Sequence, residues 1–176
     1  MIIFGMLHTH TDFTFRWLTI EDLDLLLKYR LEFLREIHPP ENPEDEDLLE
    51  EQLKAYFEKA IPAQIFWSII AEYQGEPMAF GAMLMYDRPG TFVNISGKEA
   101  YVMNIYTLPA GRSRGLATIL LQKLIEKARE LGIARMNLLA TAQGINIYKK
   151  MGFQKSEYPF LELKMSNCLG TFELNR

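Results

Sequence analysis

The chain predicts a mixed domain of α-helices and β-strands, and three observations predict it. Apolar residues recur at helical spacing in three long segments, shorter apolar or alternating runs lie between them, and glycine or proline marks nearly every junction. The resulting order, β-α-α-β-β-β-α-β-α-β-β, by itself indicates an α+β or mixed α/β domain.

Thr14 to Leu18 alternates polar and apolar residues as a half-buried strand does. Thr19 then offers an N-cap with Asp22 three residues on, and Leu23, Leu27, Leu31 and Leu34 repeat at helical spacing until Pro39-Pro40 ends the helix. A second helix begins in the same way at Asn42-Pro43-Glu44-Asp45, a cap followed by proline at the first position and acids in the first turn. Leu49, Leu53, Phe57 and Ala60 give it one apolar side, and Pro62 stops it.

Two strands follow, Ile65 to Tyr73 and Met78 to Tyr86, and the Gln74-Gly75-Glu76-Pro77 turn between them signals a hairpin. Asp87 to Lys98 reads as a loop longer than a hairpin needs. Ala100 to Leu108 is the next strand. The helix from about Arg114 to Leu131 buries Ala117, Leu120, Leu121, Leu124 and Ala128 before Gly132 terminates it. Arg135 to Leu139 is a short strand, a helix carries Tyr148, and strands are expected after Gly152-Phe153 and at Phe160 to Lys164, the last lining either the acceptor side or a dimer edge.

Length and composition set the class. A chain of 176 residues, 48% hydrophobic and 24% charged, is about one domain with a real core. It is read as a single domain over residues 1–176, with 1–12 and 166–176 as peripheral tails. A net charge of −4 argues against a nucleic-acid partner, which usually meets a basic domain. Cys168 is the single cysteine, so no internal disulfide forms, in keeping with a reducing compartment. No apolar run reaches the ~20 residues that cross a bilayer, so no membrane role is expected. Met1 to Leu7 lacks a basic leader and a small-residue cleavage site, reads as an edge strand or a loose start, and leaves the cytoplasm as the expected location. His8 and His10 alternate without a Cys, Asp or His set to complete a metal site, so no metal is expected.

The most informative stretch runs from the strand ending Ile105, Tyr106, Thr107 through Arg112, Ser113, Arg114, Gly115, Leu116, Ala117 and Thr118 into a helix. The first N–H groups of a helix have no partner within it, and the helix dipole makes that end positive. An anion such as a diphosphate is its natural guest. Arg112 and Arg114 reinforce the sign, and Gly115 and Ala117 keep the main chain approachable. Neither Gly-x-x-x-x-Gly-Lys-Ser/Thr nor Gly-x-Gly-x-x-Gly is present.

The pattern that is present, Arg112-x-x-Gly115-x-Ala117, resembles the Arg/Gln-x-x-Gly-x-Gly/Ala signature of the GNAT superfamily, the acetyl-CoA-dependent N-acetyltransferases. Downstream, Tyr148-x-x-x-Gly152-Phe153 is similar to the second hallmark of that family. The resemblance spans about Tyr101 to Met165. It implies a GNAT fold, a mixed and mostly antiparallel sheet of about seven strands with helices on both faces, split where two central strands diverge.

It also implies a chemistry. Acetyl-CoA would be the co-substrate, its pantetheine arm lying along Ile105, Tyr106 and Thr107 and its diphosphate on the amides from Ser113 to Thr118, flanked by Arg112 and Arg114. Tyr148 would be the general acid, since a phenol keeps its proton at neutral pH and can pass it to a departing thiolate. Where many relatives have an asparagine against the pantetheine, seven residues before the tyrosine, this chain has Thr141. No acid stands in Arg135 to Leu139 or Tyr101 to Leu108 to serve as general base, leaving a water relay or an already neutral amine.

The acceptor implied is the amine of a small molecule or peptide. Seven carboxylates between Glu41 and Glu51, with Glu32 and Glu36, form either a rim that attracts cations or a solvated helix start. Two other readings stay open: a non-catalytic acyl-CoA sensor, and a transferase for a longer acyl chain or an oxygen acceptor. A homodimer is left open as well.

Overall fold

The computed structural model describes residues 12–142, 144–158 and 160–163. Five strands form one sheet in the order β1-β2-β3-β4-β5: Phe13–Trp17, Phe66–Tyr73, Glu76–Asp87, Lys98–Thr107 and Arg135–Asn137. The first four are antiparallel neighbours and β5 runs parallel to β4. Helices α1 (Leu23–Ile37) and α2 (Pro43–Ala60) cover one face, and α3 (Leu116–Glu130) covers the other. A short α4 (Ile145–Lys150) follows β5. Among the described residues no helix is long and apolar enough to cross a membrane.

The predicted starts hold in detail. The Asp22 carboxylate accepts the Thr19 N–H at 2.9 Å, one turn of 3-10 helix precedes α1, and Asp45 accepts the Asn42 N–H at 3.2 Å at the head of α2. The hairpin closes more tightly than its proline suggested, because Gln74 and Gly75 both take positive φ and let Tyr73 pair directly with Glu76.

Alternation in β2 divides the core. Ile69 and Ala71 meet Leu116, Leu120, Leu121 and Leu124 of α3, while Phe66 and Ile70 meet Leu26 and Leu27 of α1 and Phe57 of α2. Gly81 on β3 lets α3 lie close: a Cβ there would stand 3.1 Å from Ile105 Cδ1 and 3.2 Å from Leu124 Cδ1. Burial is shifted from the predicted positions in α3, where Leu116 is buried and Ala117 is only half-buried. The first half of α2 projects beyond the core, with Leu49 38% exposed.

The sheet has fewer strands than the seven or so expected. β5 stops at Asn137, Leu139 is 68% exposed, and residues 153–158 and 160–163 form no strand. Phe160, Leu161 and Leu163 do not pack on the sheet, so the alternation that marks a half-buried strand has no buried side here. Lys164 lies outside the described residues, as do the apolar start from Met1 to Leu7, His8, His10 and Cys168.

Candidate active site

β4 pairs with β3 along its length but with β5 only over Glu99, Ala100 and Tyr101. From Val102 to Thr107 its other edge has no strand partner among the described residues. The main-chain donors and acceptors on that side are available to an extended guest. Ile105, Tyr106 and Thr107, the predicted pantetheine-binding residues, lie on this edge. The Tyr106 side chain turns away from it into the α1/α2 layer, where its ring meets Phe33 at 5.5 Å. The Tyr106 hydroxyl donates to Glu32 Oε1 at 3.5 Å with Glu36 also close, and burial and these carboxylates push it up to about 12.

A turn then leads into α3. Ser113 and Gly115 both adopt left-handed backbone, φ 62° and 74°, which turns the chain sharply at the helix mouth. Thr118 and Ile119 donate to Gly115 O at 3.1 and 3.3 Å, so the amide of Thr118 is already engaged. The main-chain N–H groups from Ser113 to Ala117 precede the first intrahelical bonds and remain open to an anion. The Arg114 guanidinium lies over the Phe13 ring, 5.9 Å from its centre, with no carboxylate partner among the described residues. Arg112 is engaged: its Nη2 meets Glu36 at 3.1 and 3.2 Å and its Nε donates to Thr107 O at 3.2 Å, tying the turn to α1 and β4.

Tyr148 is half-buried against the α3-side core, which also takes in Ile105, and its ring meets Phe153 edge-on at 6.0 Å. Burial raises its phenol above the ordinary tyrosine range, with a further push from Tyr101. The Thr141 hydroxyl accepts the Gly144 N–H at 3.1 Å, capping the turn that carries Tyr148.

Three residues at this site had not been singled out in the sequence. Asn104 takes φ 56° at a bulge, where two residues of β4 oppose Gly81 of β3, and it is 8% exposed. Its side-chain oxygen accepts a short hydrogen bond from Arg30 Nη1 of α1. Tyr101 forms the last pair between β4 and β5, with Asn137, and so stands where the open edge of β4 begins. Arg30 carried a signal: it falls on the apolar stripe of α1, three residues after Leu27 and four after Leu26. Asn104 carried none beyond the tolerance of asparagine for left-handed backbone.

Glu99, two residues before Tyr101 on β4, is committed elsewhere. It is 4% exposed and accepts from Tyr86 Oη at 2.9 Å and Asn137 Nδ2 at 3.0 Å. Burial favours its neutral form, but these bonds and the charge of Arg88 outweigh burial and leave the carboxyl below its usual range. A carboxylate so held is a weak base.

Comparison with known proteins agrees with this geometry. Residues 29–153 match the model of the acetyltransferase (GNAT) family. The chain is 31% identical over 103 residues to an uncharacterized N-acetyltransferase, YjgM, of Escherichia coli (strain K12), covering 55% of each protein. It is 37% identical over 91 residues to an uncharacterized N-acetyltransferase, YdgE, of Bacillus subtilis (strain 168), covering 50% of this chain and 54% of that one. The matches thus span about half the length of these relatives. A predicted acetyltransferase from Clostridium acetobutylicum, solved with acetyl-CoA, superposes with a TM-score of 0.77 at 29% identity, covering 86% of this chain and 96% of its own. A GCN5-related N-acetyltransferase from Ralstonia eutropha JMP134 shares the fold with a TM-score of 0.74 at 22% identity, covering 86% and 98%. An open β4 edge that runs into a glycine-led helix mouth, and a family match that spans both, lead to one conclusion: the chain belongs to the acetyltransferase (GNAT) family.

Proposed function

We propose that this protein moves an acetyl group from acetyl-CoA directly to the amine of a small molecule or peptide, with Tyr148 as general acid. The observation that carries the reading is the alignment of three features along one strand: the open edge of β4, the unpaired amides from Ser113 to Ala117 at its end, and the half-buried phenol of Tyr148 in the core layer beside it. The diphosphate of the coenzyme takes those amides, with Arg114 and Arg112 adding charge, and the pantetheine arm runs along Ile105, Tyr106 and Thr107. Thr141 serves by holding α4 and its tyrosine in place.

In the reaction the amine nitrogen attacks the thioester carbonyl carbon, forming the C–N bond. The C–S bond breaks with its electron pair on sulfur, and Tyr148 gives sulfur a proton to yield free thiol. The proton lost from the amine leaves through water, whether by a relay or from an amine that arrives neutral, since none of the described residues is assigned as a base. A phenol raised by burial stays protonated at neutral pH, as this role requires.

The test is thiol release from acetyl-CoA with a panel of polyamines, amino acids and peptides, for the wild type and Tyr148→Phe. Turnover should fall by roughly 100-fold in the variant while acetyl-CoA binding is retained. Unchanged turnover removes the acid role, and coenzyme binding without amine-dependent thiol release from any acceptor overturns the transferase reading.

A further inference from the structure

Among the described residues two arginines are not exposed, Arg30 and Arg114, and neither has a carboxylate partner. Of the six exposed arginines, Arg16, Arg35, Arg88 and Arg112 each have one, while Arg129 and Arg135 have none among the described residues. This inverts the usual order, in which charges withdrawn from water are the paired ones. For Arg114 the helix mouth supplies a reason, because an anion is due there. Arg30 stands on the far side of β4, under α1, and needs a separate reason.

The Arg30 guanidinium gives one hydrogen bond to the neutral Asn104 side chain and leans on the Phe33 ring at 6.0 Å. Its other N–H groups have no acceptor among the described residues. Among the described residues no fully buried side-chain nitrogen or oxygen lacks a partner, so those N–H groups reach solvent. The cavity beside it, between Tyr29, Phe33, Phe80 and Tyr106, has room for about one water and is lined mainly by rings. Burial lowers the affinity of Arg30 for its proton, and only Tyr101 offsets this. An arginine in this setting remains charged and carries a planar fork matched to a carboxylate.

From this position we infer that Arg30, anchored by Asn104 at the bulge of β4, is the specificity residue for a carboxylate on the acceptor, so that the substrate class is an amino acid, an amine and a carboxylate in one molecule. Asn104, which Arg30 holds, directly precedes Ile105 on the β4 edge proposed for the pantetheine arm. The carboxylate replaces water at the open N–H groups of Arg30 while the amine faces the thioester. This rests on the acetyl-transfer reading above. The exposed acids at the start of α2 do not bear on it, since they lie in the first turns of that helix and Glu46 is spent on Arg35.

The test compares α- and ω-amino acids with their carboxamides, which keep the amine and lose the negative charge, in the thiol-release reaction. The wild type should prefer acid over amide by at least about tenfold in kcat/KM, chiefly through KM. Arg30→Met should bring the acid down to the level of the amide, and Arg30→Lys should recover part of the preference, with melting curves confirming that both variants fold. Equal use of acid and amide by the wild type, which needs no variant, overturns the inference and leaves acetyl transfer standing. So does a preference that survives in Arg30→Met. Arg30-dependent turnover of plain amines with succinyl-CoA in place of acetyl-CoA would put the carboxylate on the donor and overturn its assignment to the acceptor. If no amine releases thiol, acetyl transfer fails, and calorimetric titration of the same pairs onto the protein with coenzyme A decides this inference alone. Arg30-dependent binding of the acid sustains it, and equal or absent binding of both overturns it.

Discussion

Tyr148 and Gly144 stand one helical turn apart, and the glycine leaves room for the ring. A Cβ at position 144 would lie 3.1 Å from Tyr148 Cε2 and 3.3 Å from Thr141 Oγ1, closer than side chains ordinarily tolerate. Gly144→Ala should therefore shift the phenol by a few tenths of an ångström and lower kcat several-fold in a folded protein, because proton transfer depends steeply on placement. Wild-type kcat in that variant would show that the ring has slack. The phenol also fixes a pH limb. Its pKa is raised, so the protonated form persists as pH climbs past the ordinary tyrosine value of about 10, and turnover should decline only above it. A decline well below pH 9 that disappears in Tyr148→Phe would contradict this environment. At the residue scale motifs with fixed offsets named Arg112, Gly115 and Tyr148, and the roles proposed for them rest on that resemblance. Asn104 and Tyr101 were not legible, because the bulge at the one and the end of pairing at the other arise from how β4 meets β3 and β5, which no local pattern encodes.

Among the elements, α3 and α4 contrast. α3 runs fifteen residues, buries Leu116, Leu120, Leu121, Leu124 and Ala128, and would form around its apolar stripe whatever its first residue. α4 has six residues, too few to be helical on its own, and depends on its packing and on the Thr141–Gly144 turn that leads into it. Thr141→Val should remove the bond to Gly144 N–H, cost about 1 kcal/mol of local stability and lower kcat, while Thr141→Ser retains both. If valine instead raises only the KM for acetyl-CoA, Thr141 acts on the pantetheine and not through the helix. At the head of α3, Gly115→Val forces a β-branched residue into φ 74° and crowds the open amides, so coenzyme affinity should fall by at least tenfold. Calorimetry giving wild-type affinity in a folded variant would remove the diphosphate from this turn. Element types and order came through from Thr14 to Phe153 because periodicity, caps and glycine turns agree there. The segment after Phe153 failed because alternation alone does not make a strand: it needs a neighbour, and β5 offers only three residues.

For the whole molecule, the joint between β3, β4 and β5 is polar. Tyr86, Glu99 and Asn137 bond one another across the three strands, with Arg88 3.6 Å from the carboxylate. Because Glu99 binds its proton more weakly folded than unfolded, its contribution is complete above about pH 4.3 and drains away as pH falls through its lowered value. Glu99→Gln should cost about 1–2 kcal/mol at pH 7 in urea unfolding, and the gap to wild type should hold down to about pH 4.3 and close only below it. A gap independent of pH would mean that shape, and not charge, holds this joint. The two helical layers were predictable from helix count and amphipathic faces. That a charged cluster would seal one end of the sheet was not, since Tyr86, Glu99 and Asn137 are far apart in the chain and ordinary in their local settings.

The extra residue at Asn104 inverts parity along β4. Ala100 and Val102 look toward α3, yet beyond the bulge it is odd-numbered Ile105 that does so, and even-numbered Tyr106 joins Met103 in facing α1 and α2. Straightening the strand with its residue count unchanged would exchange every later side chain between the two layers and send a tyrosine into the tightly filled space beneath α3, whereas deleting Asn104 would remove the kink and leave both faces as they are. The kink and the extra residue go together, and neither can be lost while the other is kept.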